Sequence, residues 1–168
     1  MLDTLTRYLS NVGSMADRNG LRQILTPIAD RLSSQATATA GLVITATSGK
    51  YVPKTGSAAF QGIASGVPVT IAGGTDMPTP SPALVITAGK YNVICYFIDS
   101  ASVVTYAMGT EGAALANVVF PQFPQGKALV GYIIVTYAST FTTGTTALDT
   151  ATTVYVSPVG AMDPSILV

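Results

Sequence analysis

The sequence has no histidine, no tryptophan and one cysteine, Cys95, in 168 residues. Without histidine there is no imidazole to activate a serine or cysteine nucleophile, to ligate zinc, or to shuttle protons near neutral pH. One cysteine leaves no intrachain disulfide. The neighbours of Cys95 in YNVICYFI are apolar, which predicts a packed thiol rather than a nucleophile. Charge is scarce too, at 10% of residues against about a quarter in ordinary globular domains. Basic and acidic side chains balance to a net charge of zero, so nothing draws the chain electrostatically to nucleic acid. Hydrophobic residues reach 48%, yet no apolar run approaches the ~18 residues of a membrane span. The longest, ALVGYIIVTYA at 128–138, is strand-length and carries Gly131, Thr136 and two tyrosines. The start, MLDTLTRYLS, lacks a basic stretch followed by an apolar one, so no signal peptide is expected.

Paired carboxylates remain as a route to hydrolysis. The later part of the chain offers Asp76, Asp99, Glu111, Asp149 and Asp163, mostly beside turn residues, where shaping a turn is the expected role. GTEGA at 109–113 lacks both the lysine and the helix start of a phosphate loop. Tyrosine is the commonest aromatic. Tyr51, Tyr91, Tyr96, Tyr106, Tyr132, Tyr137 and Tyr155 could line a sugar site, but strand tyrosines usually straddle core and surface. The expectation is a chain with no catalytic residue, no cofactor and no metal, and so not an enzyme.

The charges present are unevenly placed. All the arginines (Arg7, Arg18, Arg22, Arg31) precede residue 32, and every lysine follows it. The same N-terminal stretch has helical spacing: Leu2, Leu5 and Leu9, then Leu21, Ile24, Leu25, Ile28 and Leu32. Gly13 can end a first helix, and Ser14 with Asp17 resembles a capping box for a second. Gly20 strains that second helix, and Pro27 is expected to bend or restart it. The predicted organisation is a helical arm at 1–33, a Ser/Thr/Ala linker at 34–41, a β domain at 42–160 and an apolar tail at 161–168.

From residue 42 onward, Val, Ile, Thr and Tyr cluster in short runs separated by Gly, Pro, Asp and Ser. Strands are predicted at 42–47, 67–72, 83–88, 91–98, 102–108, 128–138 and 152–157, with a hairpin turning near Asp99-Ser100-Ala101. The Pro-rich GGTDMPTPSP at 73–82 must be a connection. The phrase LVIT-A-GKY is written twice, in LVITATSGKYV at 42–52 and LVITAGKYNV at 84–93. It reads as a strand, a turn on glycine and the entry to another strand. Two copies do not make a solenoid; they record a duplication or two similar sandwich edges. The predicted fold is all-β, a β-sandwich with a jelly roll as its variant, preceded by the helical arm. Strands 91–98 and 128–138 are apolar on both faces, which predicts cover from another chain for the faces a single interior leaves over. The tail SILV adds to this need.

Three stretches carry a resemblance: ALVITAGKYNVICYFIDSASVVTYAMGTEG, VVFPQFPQGKALVGYIIV and STFTTGTTALD. Together they resemble a family of tailed-phage virion proteins over roughly residues 80–160, about half the chain. In that family a strand ending in a GKY turn leads into a hairpin. A P-x-x-P-x-G-K approach (Pro121, Pro124, Gly126, Lys127) then enters a buried strand, and an F-x-x-G-T-T-x-L-D turn follows. The resemblance implies a β-sandwich on the virion, binding and stabilising the capsid surface as a decoration or cement protein. The alternative is a head- or tail-fibre or receptor-binding module that recognises a host glycan. A carboxylate-based hydrolase is the third. The implied partners are the major capsid protein and further copies of the chain, as a homotrimer or other symmetric homo-oligomer, without nucleic acid or membrane. The implied location is the capsid surface, with host cytoplasm before assembly. Assembly contacts are expected at Leu2, Leu5 and Leu9 in the arm and at Ile166, Leu167 and Val168 in the tail.

Overall fold

A computed structural model describes residues 15–44 and 51–161. The protein is mostly β, with one described α-helix ahead of several antiparallel sheets. Helix α1 (Met15–Ser33) runs as one element through Gly20 and Pro27, so the expected restart at proline does not occur. Strand β1 (Gln35–Ala38) follows directly. It lies within the stretch read as a linker, and it pairs with β4 (Phe60–Ala64), which in turn pairs with β5 (Val67–Ile71). The four-stranded sheet has the order β11 (Thr152–Val156), β9 (Ala128–Thr136), β7 (Tyr91–Ile98) and β8 (Val104–Met108). Two short pairs complete the set: β2 (Val43–Ile44) with β3 (Pro53–Lys54), and β6 (Val85–Ile86) with β10 (Phe141–Thr142).

β7 and β8 form the expected hairpin, and the turn is built by its aspartate. The Asp99 carboxylate accepts the backbone N–H groups of Ala101 (3.0 Å) and Val103 (2.9 Å), which lets Ser102 take a positive φ of 60°. The Pro-rich segment at 73–82 is a connection, anchored by buried Met77, whose N–H donates to the Pro53 carbonyl at 2.8 Å.

The doubled phrase is used in two different ways. In its first copy the flanking strands β2 and β3 pair with each other; residues 45–50 between them lie outside the described region. In its second copy Gly89 takes the left-handed turn (φ +69°) and the flanking strands part company. β6 joins β10, while β7 enters the four-stranded sheet. Similar words therefore close a local pair once and cross between sheets once.

The core follows from alternation along β7. Ile94, Tyr96 and Ile98 face one way, into a cluster with Phe60, Val69 and Ile71 of the three-stranded sheet and with Phe141 and Leu148. Val93, Cys95 and Phe97 face the other way. Along β9 the parity changes part-way. Ala128 and Val130 belong to the first cluster, but so do Ile133 and Val135. A bulge causes this: Tyr96 pairs with Gly131 and Phe97 with Leu129, so Val130 is the extra residue and resets the alternation. Gly131 must be glycine here, because a Cβ would meet Leu42 Cδ1 at 2.6 Å and the Val156 carbonyl at 2.7 Å.

The second face of the four-stranded sheet corrects one expectation. Cover comes from the chain itself. Segment 118–123 folds back so that Val118, Phe120 and Phe123 lie against Val93, Cys95, Phe97, Leu129 and Tyr132. Phe123 meets Phe97 edge-to-face with ring centroids 5.1 Å apart, and Phe120 meets Tyr132 in the same way at 5.1 Å. The words VVFPQFP thus form a second apolar layer, and the doubly apolar strands need no neighbouring chain to explain them.

Candidate assembly surface

With that face covered, the large apolar side chains still in water are unevenly spread. On the β domain most fall at separate points along the chain, as at Val67, Val85, Val103 and Val154, with Leu115 and Val119 nearer together, which is ordinary for a folded surface. On α1 they are grouped: Ile24 is 63% exposed, Leu25 50%, Ile28 52% and Leu32 62%. At 3.6 residues per turn these four and half-buried Leu21 fall within an arc of about 100°. The helix holds to the β domain through its last turn, on the far side of the arc and along one flank of it. The Asp30 carboxylate accepts the Gly126 N–H at 2.8 Å, and Asp30 sits roughly 180° from the centre of the arc. The Arg31 guanidinium lies 4.5 Å above the Phe123 ring, and the Ser33 carbonyl accepts the Gly66 N–H at 2.8 Å. The last turn of α1 is tied down while its aliphatic stripe faces away.

A cleft of about 310 Å³ lies where that last turn meets the second layer, lined by Asp30, Arg31, Phe120, Gln122, Phe123 and Gln125. Another of about 260 Å³ is lined by Gly89, Thr136, Tyr137, Ala138, Thr150 and Thr152.

The candidate acids are engaged in structure. Asp99 builds its turn and also lies 3.9 Å from Lys127 Nζ, which donates to Thr105 Oγ1 at 3.0 Å. Glu111 accepts the Thr87 N–H at 2.7 Å, bracing the second GKY turn, and Asp76 sits in a β-bridge with Lys54. Asp163 lies outside the described residues. Among the described residues no three His, Cys, Asp or Glu side chains come together as a metal site, and no helix is long and apolar enough to cross a membrane. Cys95 is fully buried, and burial pushes its thiol far above the ordinary range. Tyr96 is raised first by burial and then by the neighbouring Cys95 and Tyr155. Tyr106 straddles as expected: its hydroxyl donates to the Ser81 carbonyl at 2.8 Å and accepts the Ser81 N–H at 2.6 Å.

Of the assembly contacts expected from sequence, Leu2, Leu5, Leu9, Ile166, Leu167 and Val168 all lie outside the described residues. Helical spacing outlines the stripe Leu21–Leu32 in the sequence without marking it as a contact. What singles it out is its exposure in the fold, which spacing alone does not give. Comparison with protein-family models, curated proteins and solved structures finds no match.

Proposed function

We propose that the chain is a structural protein of a tailed-phage virion that binds and stabilises the capsid surface, as a decoration or cement protein. In this reading the three- and four-stranded sheets form a β-sandwich body, and the chain works as a symmetric homo-oligomer seated on the major capsid protein, without catalysis, cofactor, nucleic acid or membrane. The observation that carries it is the aliphatic stripe of α1, which stays exposed although the last turn of the helix is bonded to the β domain. Low charge and the phrases resembling virion proteins support it. Mechanistically, capsomers are held by apolar burial repeated at several junctions, so that weak contacts add through avidity.

The second reading, a head- or tail-fibre module that binds a host glycan, draws on the cleft at the end of α1. Its aromatic rings, amides and an arginine are the chemistry that sugar sites use. Counting copies per purified particle by quantitative gel densitometry separates the two. Hundreds of copies per particle support decoration; tens or fewer support a fibre; none on any particle overturns both.

A further inference from the structure

We infer that the stripe of α1 is a self-association seam, in which three copies of the helix pack in parallel around a common axis. The inference rests on reading the chain as a self-assembling protein, but not on what that assembly then binds.

Spacing is the first ground. Leu21, Leu25, Ile28 and Leu32 are separated by four, three and four residues, the alternation of d and a positions in a heptad repeat. Such a seam is self-complementary: each knob fits a hole made by the same residues of a neighbour. The second ground is the choice of side chains. Leucine stands at both a positions and isoleucine at one of the two d positions, a distribution that favours three or more strands over two. Ile24, exposed and at the flanking g position, widens the apolar arc beyond what a two-stranded seam covers. Alanine at 29, on the flanking e position, leaves room for it in the next helix.

Symmetry gives direction: three equivalent copies around one axis run parallel. In a parallel, in-register bundle the g position of one helix lies beside the e position five residues later on its neighbour, here Ile24 beside Ala29, both apolar. The seam runs from Leu21 to Leu32, about two heptads. The anchoring of α1 agrees with this arrangement. Asp30, fixed to Gly126, faces away from the axis, and Arg31 reaches from the flanking g position over Phe123, so the β domain lies behind and beside the helix while Leu25, Ile28 and Leu32 stay exposed.

The test uses the purified full-length chain without particles, so that trimer formation and capsid binding can fail separately. Sedimentation equilibrium over a concentration series should give a trimer for the parent. Leu25→Glu with Ile28→Glu should raise the concentration needed for assembly on the order of a hundredfold or more, as two buried charges per helix demand. Because both sites are exposed in the single chain, circular dichroism of the β domain should not change. Thr26→Glu, exposed outside the arc, should leave the trimer intact. As a check independent of the charged variant, Leu25→Cys should form an interchain disulfide between like positions on mild oxidation, with buried Cys95 taking no part. A parent that stays monomeric at hundreds of micromolar overturns the inference. So does a charged variant that assembles like the parent, or a Leu25→Cys variant that gives no interchain cross-link.

Discussion

Phe123→Ala asks whether the folded-back segment closes the second face of the sheet. Phe123 is half-buried, so its ring contributes about half of the ~1.5–3 kcal/mol of a fully buried phenylalanine, roughly 1 kcal/mol. Its edge-to-face contact with Phe97 adds about 1 kcal/mol. The Arg31 guanidinium above the ring adds about 0.5 kcal/mol, the low end for an exposed cation–π pair. The expected loss is therefore about 2.5 kcal/mol, more than most surface substitutions by several-fold. Near 170 residues that should lower the thermal midpoint by roughly 5–10 °C. With no tryptophan in the chain, unfolding in urea is best followed by far-ultraviolet circular dichroism or tyrosine fluorescence. A second readout should move in parallel: the Cys95 thiol, on the face that Phe123 covers, should become reactive to a water-soluble reagent under native conditions. Phe120→Ala, which loses the Tyr132 contact, should behave alike, while Tyr51→Ala at an exposed site should be near neutral. If Phe123→Ala costs under about 1 kcal/mol and Cys95 stays protected, the second layer is not held by these rings and something else must cover the sheet.

Two tyrosines should respond to loss of their hydroxyls in opposite ways. Tyr155 Oη is buried with no hydrogen-bond partner among the described residues, so Tyr155→Phe should be neutral or stabilising by up to about 1 kcal/mol, whereas Tyr106→Phe, which strips both bonds from Ser81, should cost about 1–2 kcal/mol in the same melts. Alkaline pH should destabilise the fold. Burial keeps Cys95 protonated in the native state while the unfolded thiol ionises near 9.0, so above that pH the unfolded state binds fewer protons and stability falls, by up to ~1.4 kcal/mol per pH unit. Tyr96 adds to the slope from about 10.0 upward, so Cys95→Ala, itself costing roughly 1 kcal/mol, should flatten the curve chiefly between pH 9 and 10; an unchanged slope in urea titrations refutes the assignment.

What can be read in the sequence is whatever depends on local chemistry. YNVICYFI alternates, and the structure places its two sets of side chains in two different clusters, as the alternation requires. Asp99 turns the hairpin through its own carboxylate, a bond made within four residues. The strands that escape such a reading are those whose signal is not local. QATA at 35–38 has small side chains and becomes a strand because β4 offers it a partner some 25 residues away. FQGIA at 60–64 is interrupted by Gly62, whose Cβ would crowd the Gln35 carbonyl and the Phe60 ring at 3.0 Å. The bulge at Val130 changes which face of β9 is which, and no alternation count along that strand reveals it. The cover over the second face is hidden for a related reason. VVFPQFP has prolines that forbid a central strand, and a proline-rich segment reads as a path rather than a layer, although nothing prevents its phenylalanines from packing.

That cover changes where assembly must be sought. An apolar strand face sealed within the chain exerts no pull on a partner, so the exposed aliphatic groups of α1 are left as the grouped apolar surface among the described residues. Their strength can be bounded. Four side chains about half exposed, each worth ~1.5–3 kcal/mol on full burial, would contribute about 4 kcal/mol per helix. Bringing two proteins together costs an estimated ~4–15 kcal/mol in lost freedom. A two-chain contact would bury two stripes, about 8 kcal/mol, which falls inside that range and sits near break-even, and a closed three-chain ring lets every helix bury its stripe against two neighbours. Even that association should be concentration-dependent in dilute solution. If the chain sits on a particle as proposed, copies held side by side would reach effective concentrations in the millimolar range, where the same seam would persist. A seam of this strength would stay dissociable in dilute solution and close once many copies are aligned, which separates it from a constitutive oligomer by dilution alone.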